Sequence, residues 1–253
     1  MKTLTIKPAP GNTPLISGNN DQAIIRFNGA DHIIIDGANT AGGITRDLSI
    51  INTSTNATAG SVIRINSVNA SNGATSITIK NSIILGESPA NTYAAVISEG
   101  LTPGSMAEAA NENNRIQNNL INRAQSAIFF NGPSGNESGN IITGNAIGSV
   151  ANELNRNGIY LQHQANCQVE NNNITGIVTG DNVLVSGISL VGDHSGILIS
   201  GNKISGIKNT HVAGAGSNGI YLGAANEAAA VSVYNNFISD ISSYGNATGR
   251  SAA

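Results

Sequence analysis

An all-β, single-stranded, right-handed parallel β-helix (a solenoid of about seven coils, each of three short strands) is the fold this sequence predicts. Three observations predict it: a composition rich in β-branched and turn residues, an asparagine motif that recurs, and a second apolar motif interleaved with the first. The 253 residues include 30 Gly, about three dozen Asn and no Trp, only 11% are charged, and Ile is the prevailing large apolar residue. β-Branched side chains fit pleated strands, whereas Asn and Gly fit turns that need positive φ. Long helices are not expected, and 40% apolar content suffices for a substantial core.

The asparagine motif reads apolar, any, Asn or Gly, Asn, any, Ile. It occurs as IQNNLI at 116–121, ITGNAI at 142–147, VENNNI at 169–174, ISGNKI at 199–204 and VYNNFI at 233–238, with IKNSII at 79–84 as a weaker copy holding Ser82 in the second Asn slot. The second motif is GIYL at 158, GISL at 187 and GIYL at 219, with relatives AIFF at 127, AVIS at 95, VIRI at 62 and IIRF at 24. One copy precedes each asparagine motif, so the unit is strand, turn, strand, Asn turn, strand, loop. The first unit ends differently, in HIIIDG and then RDLSII.

A unit of roughly 30 residues with three short strands cannot bury its apolar face alone, whereas stacked copies can. At about 4.8 Å per coil, seven coils span about 34 Å. Leucine-rich repeats would need their own leucine pattern and a helix per unit, and neither is present. Strand alternation then sets three inward stacks. They run through Ile25, Ile63, Val96, Ile128, Ile159, Ile188 and Ile220; through Ile79, Ile116, Ile142, Val169, Ile199 and Val233; and through Ile84, Ile121, Ile147, Ile174, Ile204 and Ile238. Asn119, Asn145, Asn172, Asn202 and Asn236 are expected to stack as a structural ladder and to adopt the αL conformation of the bend.

The domain reading is one β-helix, with residues 1–20 as an N-terminal arm, 21–242 as coils and 243–253 as a C-terminal tail. Open β-helix ends expose strand edges, so the expectation is a segment of a longer chain with further coils or domains as neighbours, or a stack that caps itself by assembly. GSMAEAANENN, residues 104–114, is the one helix-permissive stretch, expected to fold over the side of the third coil.

A formal charge of −3 with scattered basic residues argues against nucleic acid as a partner. No 18-residue apolar stretch occurs, so membrane insertion is not expected, and the opening residues do not read as a signal peptide. The single cysteine, Cys167, lies in an alternating run and reads as a small core residue.

With the GIxL and NNxI elements in view, residues 20–242 resemble the β-helix repeats of the pectate-lyase-like superfamily. IKPAPGNTPLISG, IIRFNGADHIIIDG and RDLSIINTS look like β-helix segments of large secreted bacterial surface proteins. The resemblance implies an extracellular or cell-surface location, with the targeting information outside this chain. It also implies that the outward face of the GIxL strand meets polysaccharide. Its outward positions are Arg26, Arg64, Ile97, Phe129, Tyr160, Ser189 and Tyr221, followed two residues on by Asn28, Asn66, Glu99, Asn131, Gln162, Val191 and Gly223. Arg26, Arg64, Phe129, Asn131, Tyr160, Gln162 and Tyr221 are the candidate ligand-binding residues, with Tyr160 and Tyr221 offering ring faces to a polysaccharide or cell-surface glycan.

Catalytic candidates are few. Calcium-dependent lyase chemistry needs clustered carboxylates and a strong base, and the stripe offers Arg64 but Glu99 as its one carboxylate. Hydrolysis needs carboxylates on adjacent coils; the hydrolase motifs NTD, DD, GHG and RIK are absent, and GDHSG at 192–196 is the nearest approach. Its Asp193 and His194 read more simply as polar residues of a solvated turn. No metal or cofactor is expected, calcium entering only with the lyase alternative, although His163 and His194 fall near one another in the aligned first turn. The leading expectation is a non-catalytic extracellular module of a bacterial surface or adhesin-like protein. The alternatives are a lyase or glycoside hydrolase acting on an acidic polysaccharide near Glu99, Arg64 and Tyr160, and a phage or filament component.

Overall fold

The computed structural model describes residues 2–151, 153–224 and 230–245, so most of the expected C-terminal tail, residues 246–253, lies outside the described residues. Among the described residues there are 24 strands and no helix. The strands form one sheet of eight and one of sixteen, and each strand pairs in parallel with its counterpart from the repeat before or after it.

The three inward stacks stand in register as the repeat predicts. Ile35, Ile79, Ile116, Ile142, Val169, Ile199 and Val233 are successive partners in the eight-stranded sheet. Ile50, Ile84, Ile121, Ile147, Ile174, Ile204 and Ile238 form a second column. Ile25, Ile63, Val96, Ile128, Ile159, Ile188 and Ile220 form the third. The interior members of all three are fully buried and belong to one core cluster. Each such isoleucine contributes roughly 1.5–3 kcal/mol by leaving water. HIIIDG and RDLSII occupy the same first two columns, with residues 37–47 looping out where later units turn in one or two residues. The N-terminal residues join the stack too, Leu4–Ile6 pairing with Ile33–Ile35 and Leu15–Gly18 with Ser49–Asn52. This is an all-β stack of parallel strands, compatible with a β-helix or other solenoid.

The asparagines hold the bend between the first two columns. Backbone N–H of Asn119, Asn145, Asn172 and Asn202 each donates to Oδ1 of the next asparagine, at 2.9–3.0 Å. Each Nδ2 also reaches back to a carbonyl of the preceding repeat: Asn145 to Ile116, Asn172 to Ile142 and Asn202 to Val169. Ser82 keeps the first rung, its N–H donating to Asn119 Oδ1. One expectation is corrected. The αL residue is the one before each ladder asparagine: Asn118, Gly144, Asn171, Gly201 and Asn235 have φ of 50°, 67°, 56°, 66° and 54°. Only Gly and Asn visit that region cheaply, hence the "Asn or Gly" slot of the motif.

The glycine that opens GIYL has a different cause. A Cβ on Gly158 would lie 2.6 Å from Ile174 Cγ2 and from the Gly187 carbonyl, so the third column bends too close to the second for a side chain. Residues 104–114 form no helix. Their backbone groups are spent on neighbouring segments, Ala107 N–H on the Asn131 carbonyl and Asn113 N–H on Ser138. A run this short cannot offset helix nucleation against such partners.

Candidate functional site

Register places Arg26, Arg64, Ile97, Phe129, Tyr160, Ser189 and Tyr221 in one outward stripe, as the alternation predicts. The stripe divides into a sealed part and an open part, and the difference is the segment that follows Glu99.

In the sealed part, residues 100–108 fold over Arg64 and Glu99. Arg64 Nε lies 2.5 Å from Glu99 Oε1, and neither side chain reaches solvent appreciably. Arg64 Nη2 donates to the Gly100 and Leu101 carbonyls, both at 2.9 Å, while Glu99 Oε2 accepts from Gly104 N–H. Burial pushes the Glu99 carboxyl up to about 7, with Arg64 drawing it back. The expectation that Arg64 and Glu99 face a ligand is thereby corrected: a buried pair that bonds loop backbone through Arg64 Nη2 and Glu99 Oε2 clamps the loop. Asn131 is drawn under as well, its Nδ2 donating to the Gly104 carbonyl at 3.2 Å. Arg26 stays exposed at the edge, bonded to Gln22 Oε1 at 2.6 Å.

In the open part, Phe129 and Tyr160 stack with ring centroids 4.5 Å apart and planes 3° from parallel. Tyr93 leans on Phe129 at 5.3 Å and 55°. Since Phe129 and Tyr160 cover a face of each other, the open faces expected of the stripe are partly spent. The three rings, with Gln125, Arg156 and Asn157, line a cleft of about 640 Å³. Tyr160 hydroxyl donates to Gln162 Oε1 at 3.1 Å, which brings Gln162 to the same neighbourhood. Asn157 Nδ2 donates to Ser126 Oγ at 3.3 Å, and Gln125 is anchored on the Ala57 carbonyl at 2.9 Å. Arg156 makes no ion pair among the described residues, and its buried Nε has no hydrogen-bond partner. Burial raises both Tyr93 and Tyr160 above the ordinary phenol range, so both rings stay neutral donors.

No family model matches this chain. Searches of curated proteins and of solved structures found no match either. What the site can do is therefore argued from its own residues: one unpaired guanidinium, two phenols and several amides around aromatic rings suit binding of a polar ligand with apolar patches.

Tyr221 is not brought to the cleft. It lies half-buried at the far end of the stripe, beyond Ser189, with its ring against Gly223. Asp193 and His194 are corrected too. His194 is fully buried in strand Val185–Ser195 rather than set in a solvated turn, and its Nδ1 lies 3.4 Å from Gln164 N–H. It tops an internal polar column, Glu137, Gln164, His194, in successive strands. Glu137 accepts from Gln164 Nε2 at 2.9 Å and from Ser98 Oγ, Asn111 N–H and Asn140 Nδ2 at 3.3 Å. Burial pushes Glu137 up to about 7 and lowers His194. Glu137 and Gln164 bond each other inside the stack, and none of the three lines the aromatic cleft. Cys167 is a buried core residue as expected, its thiol pushed up to about 12 by burial. Among the described residues no three His, Cys, Asp or Glu side chains group as a metal site, and no helix is long and apolar enough to cross a membrane.

Tyr93, Gln125 and Arg156 escape the sequence reading, although each precedes its stripe residue by four (Ile97, Phe129, Tyr160). Alternation breaks between them because Ala95 and Val96, Ala127 and Ile128, and Gly158 and Ile159 are buried in consecutive pairs. The recurring offset of four was the available signal.

Proposed function

We propose that the chain is a right-handed parallel β-helix of about seven coils, of the pectate-lyase-like kind, serving as a non-catalytic module of an extracellular or cell-surface, adhesin-like protein. Its binding face is the Tyr93, Phe129 and Tyr160 cleft, and its ligand class is glycan. The observation that carries this is the combination of stacked aromatic rings with the unpaired Arg156 in one open cleft. Ring edges and the free portions of ring faces meet the CH surfaces of a sugar, while Arg156, Asn157 and Gln162 hydrogen-bond hydroxyl or carboxylate oxygens. The single stripe carboxylate is tied to Arg64 and to loop backbone, which leaves the cleft without a free acid or base of its own.

Binding on a glycan array, measured alongside reducing-end and unsaturated-product assays on acidic polysaccharides, tests this reading. Capture without turnover, weakened about tenfold or more by Tyr160→Ala, is the expected result; a lost aromatic contact is worth about 1.4 kcal/mol on that scale.

A second reading is favoured by one observation. A carboxyl raised to about 7 by burial is what a general acid requires, and Gly104, which covers Glu99, also lines the cleft. A hydrolase or lyase would then work by opening of the 100–108 segment. Turnover abolished by Glu99→Gln would replace the non-catalytic reading with this one.

A further inference from the structure

The C-terminal edge of the strand stack carries an unfinished copy of the contact that joins each repeat to the next. We infer that this edge is a docking surface for one more parallel coil bearing asparagine at the ladder position. The inference rests on the β-helix reading given above and extends the same interface by one step.

Inside the stack each rung is made twice. Asn145, Asn172 and Asn202 donate to the following Oδ1 both from backbone N–H, at 3.0 Å, and from Nδ2, at 2.9–3.0 Å. At Asn236 both donations stop. Its N–H meets no acceptor among the described residues, and the Nδ2 proton that earlier rungs send forward turns back to the Tyr234 carbonyl at 3.1 Å. The apolar columns stop at the same edge. Val233 and Ile238 are each 42% exposed and Leu222 is 51% exposed, whereas their register partners Ile199, Ile204 and Leu190 are fully buried. One amide donor without an acceptor among the described residues, the Asn236 N–H, and three open apolar positions thus face one way, while both Nδ2 protons are held within the stack by the Ile199 and Tyr234 carbonyls. A strand set with Asn Oδ1 over the Asn236 N–H and apolar residues over Val233, Ile238 and Leu222 completes all of them.

The chemistry selects the occupant. A second copy docking head to tail would present Leu4–Ile6 and Leu15–Gly18, with Ile6 and Ile16 in suitable columns. Following the ladder position backward through the chain leads from Asn119 to Ser82, then Leu48, then Pro14. Pro14 has no side-chain carbonyl, so a second copy leaves the Asn236 N–H unpaired in a covered site, which disfavours it. A coil with the Asn-or-Gly, Asn, any, Ile pattern carries the missing acceptor.

The test is the full chain extended at its C-terminus by a second copy of residues 217–243, which contains VYNNFI, read by amide hydrogen exchange. The Asn236 amide is expected to slow by about tenfold or more, a net bond of about 1.4 kcal/mol, and to return to its original rate when only the appended copy carries Asn236→Ala. The Asn145 amide, protected throughout, reports that the stack itself is folded; if it exchanges freely, the β-helix reading fails instead. An Asn236 rate unchanged by the added coil, or slowed equally with alanine in it, overturns the inference. So does an unextended chain whose solution mass grows with concentration while its Asn236 amide becomes protected, since the occupant would then be a second copy.

Discussion

Asn171 and Asn172 stand side by side in VENNNI and do unlike work. Asn171 is the αL residue, and Asn172 is the rung. Replacing Asn172 by alanine removes the acceptor for Asn145 and the donor to Ile142, both buried. At about 1–3 kcal/mol for each group left unpaired, the loss is about 3 kcal/mol or more by urea unfolding. Asn171→Gly keeps the backbone conformation and is expected to change stability by less than about 1 kcal/mol. The motif was legible in the sequence because its apolar flanks recur, but the division of labour between adjacent asparagines was not, since both residues suit turns. Glu137 supplies a second test at this scale. Its folded carboxyl is raised from 4.5 to about 7, so the folded state binds more protons than the unfolded chain between those values. Glu137's contribution to stability is therefore expected to be complete below about pH 4.5 and to be lost as pH rises through 7, seen as a melting temperature that declines across that window less steeply once Glu137 is replaced by Gln. Glu99, raised in the same direction, adds to that slope.

At the scale of elements, the segment after Glu99 decides which part of the stripe is a surface. The stripe itself was legible from strand period. Its closure was not, because residues 100–108 have no periodicity and their placement depends on the Arg64–Glu99 pair and on Ser67, whose hydroxyl donates to Glu108 at 2.6 Å. Glu99→Ala leaves Arg64 charged and buried without its partner. A cost of about 3–5 kcal/mol is expected, with faster proteolysis of residues 100–108, and replacing both residues by apolar ones of similar size should restore most of the stability. A double-mutant cycle measures the pair directly. The helix that residues 104–114 would permit does not form for a related reason: its alanines suit a helix, but tertiary partners claim the backbone first.

At the scale of the molecule, stacking makes stability depend on position along the axis. Ile142 lies in mid-stack with no exposure, whereas Ile238 closes a column at the edge and is 42% exposed. Ile142→Ala is expected to cost about 2–5 kcal/mol and Ile238→Ala considerably less, by chemical denaturation of the two variants. Equal costs would speak against a linear stack. The same architecture separates maintenance from function: polar groups of the ladder and of the Glu137 column serve the inside, and the outside carries the aromatic cleft with Arg156, which makes no ion pair among the described residues.

The most direct test of that assignment is side-chain resolved NMR of the protein titrated with the oligosaccharide that an array selects. The ring signals of Tyr93, Phe129 and Tyr160 and the guanidinium of Arg156 should shift together, with no product released and with the buried His194 unmoved. Shifts centred on any other face, or conversion of the oligosaccharide during the titration, would contradict a non-catalytic glycan site in this cleft.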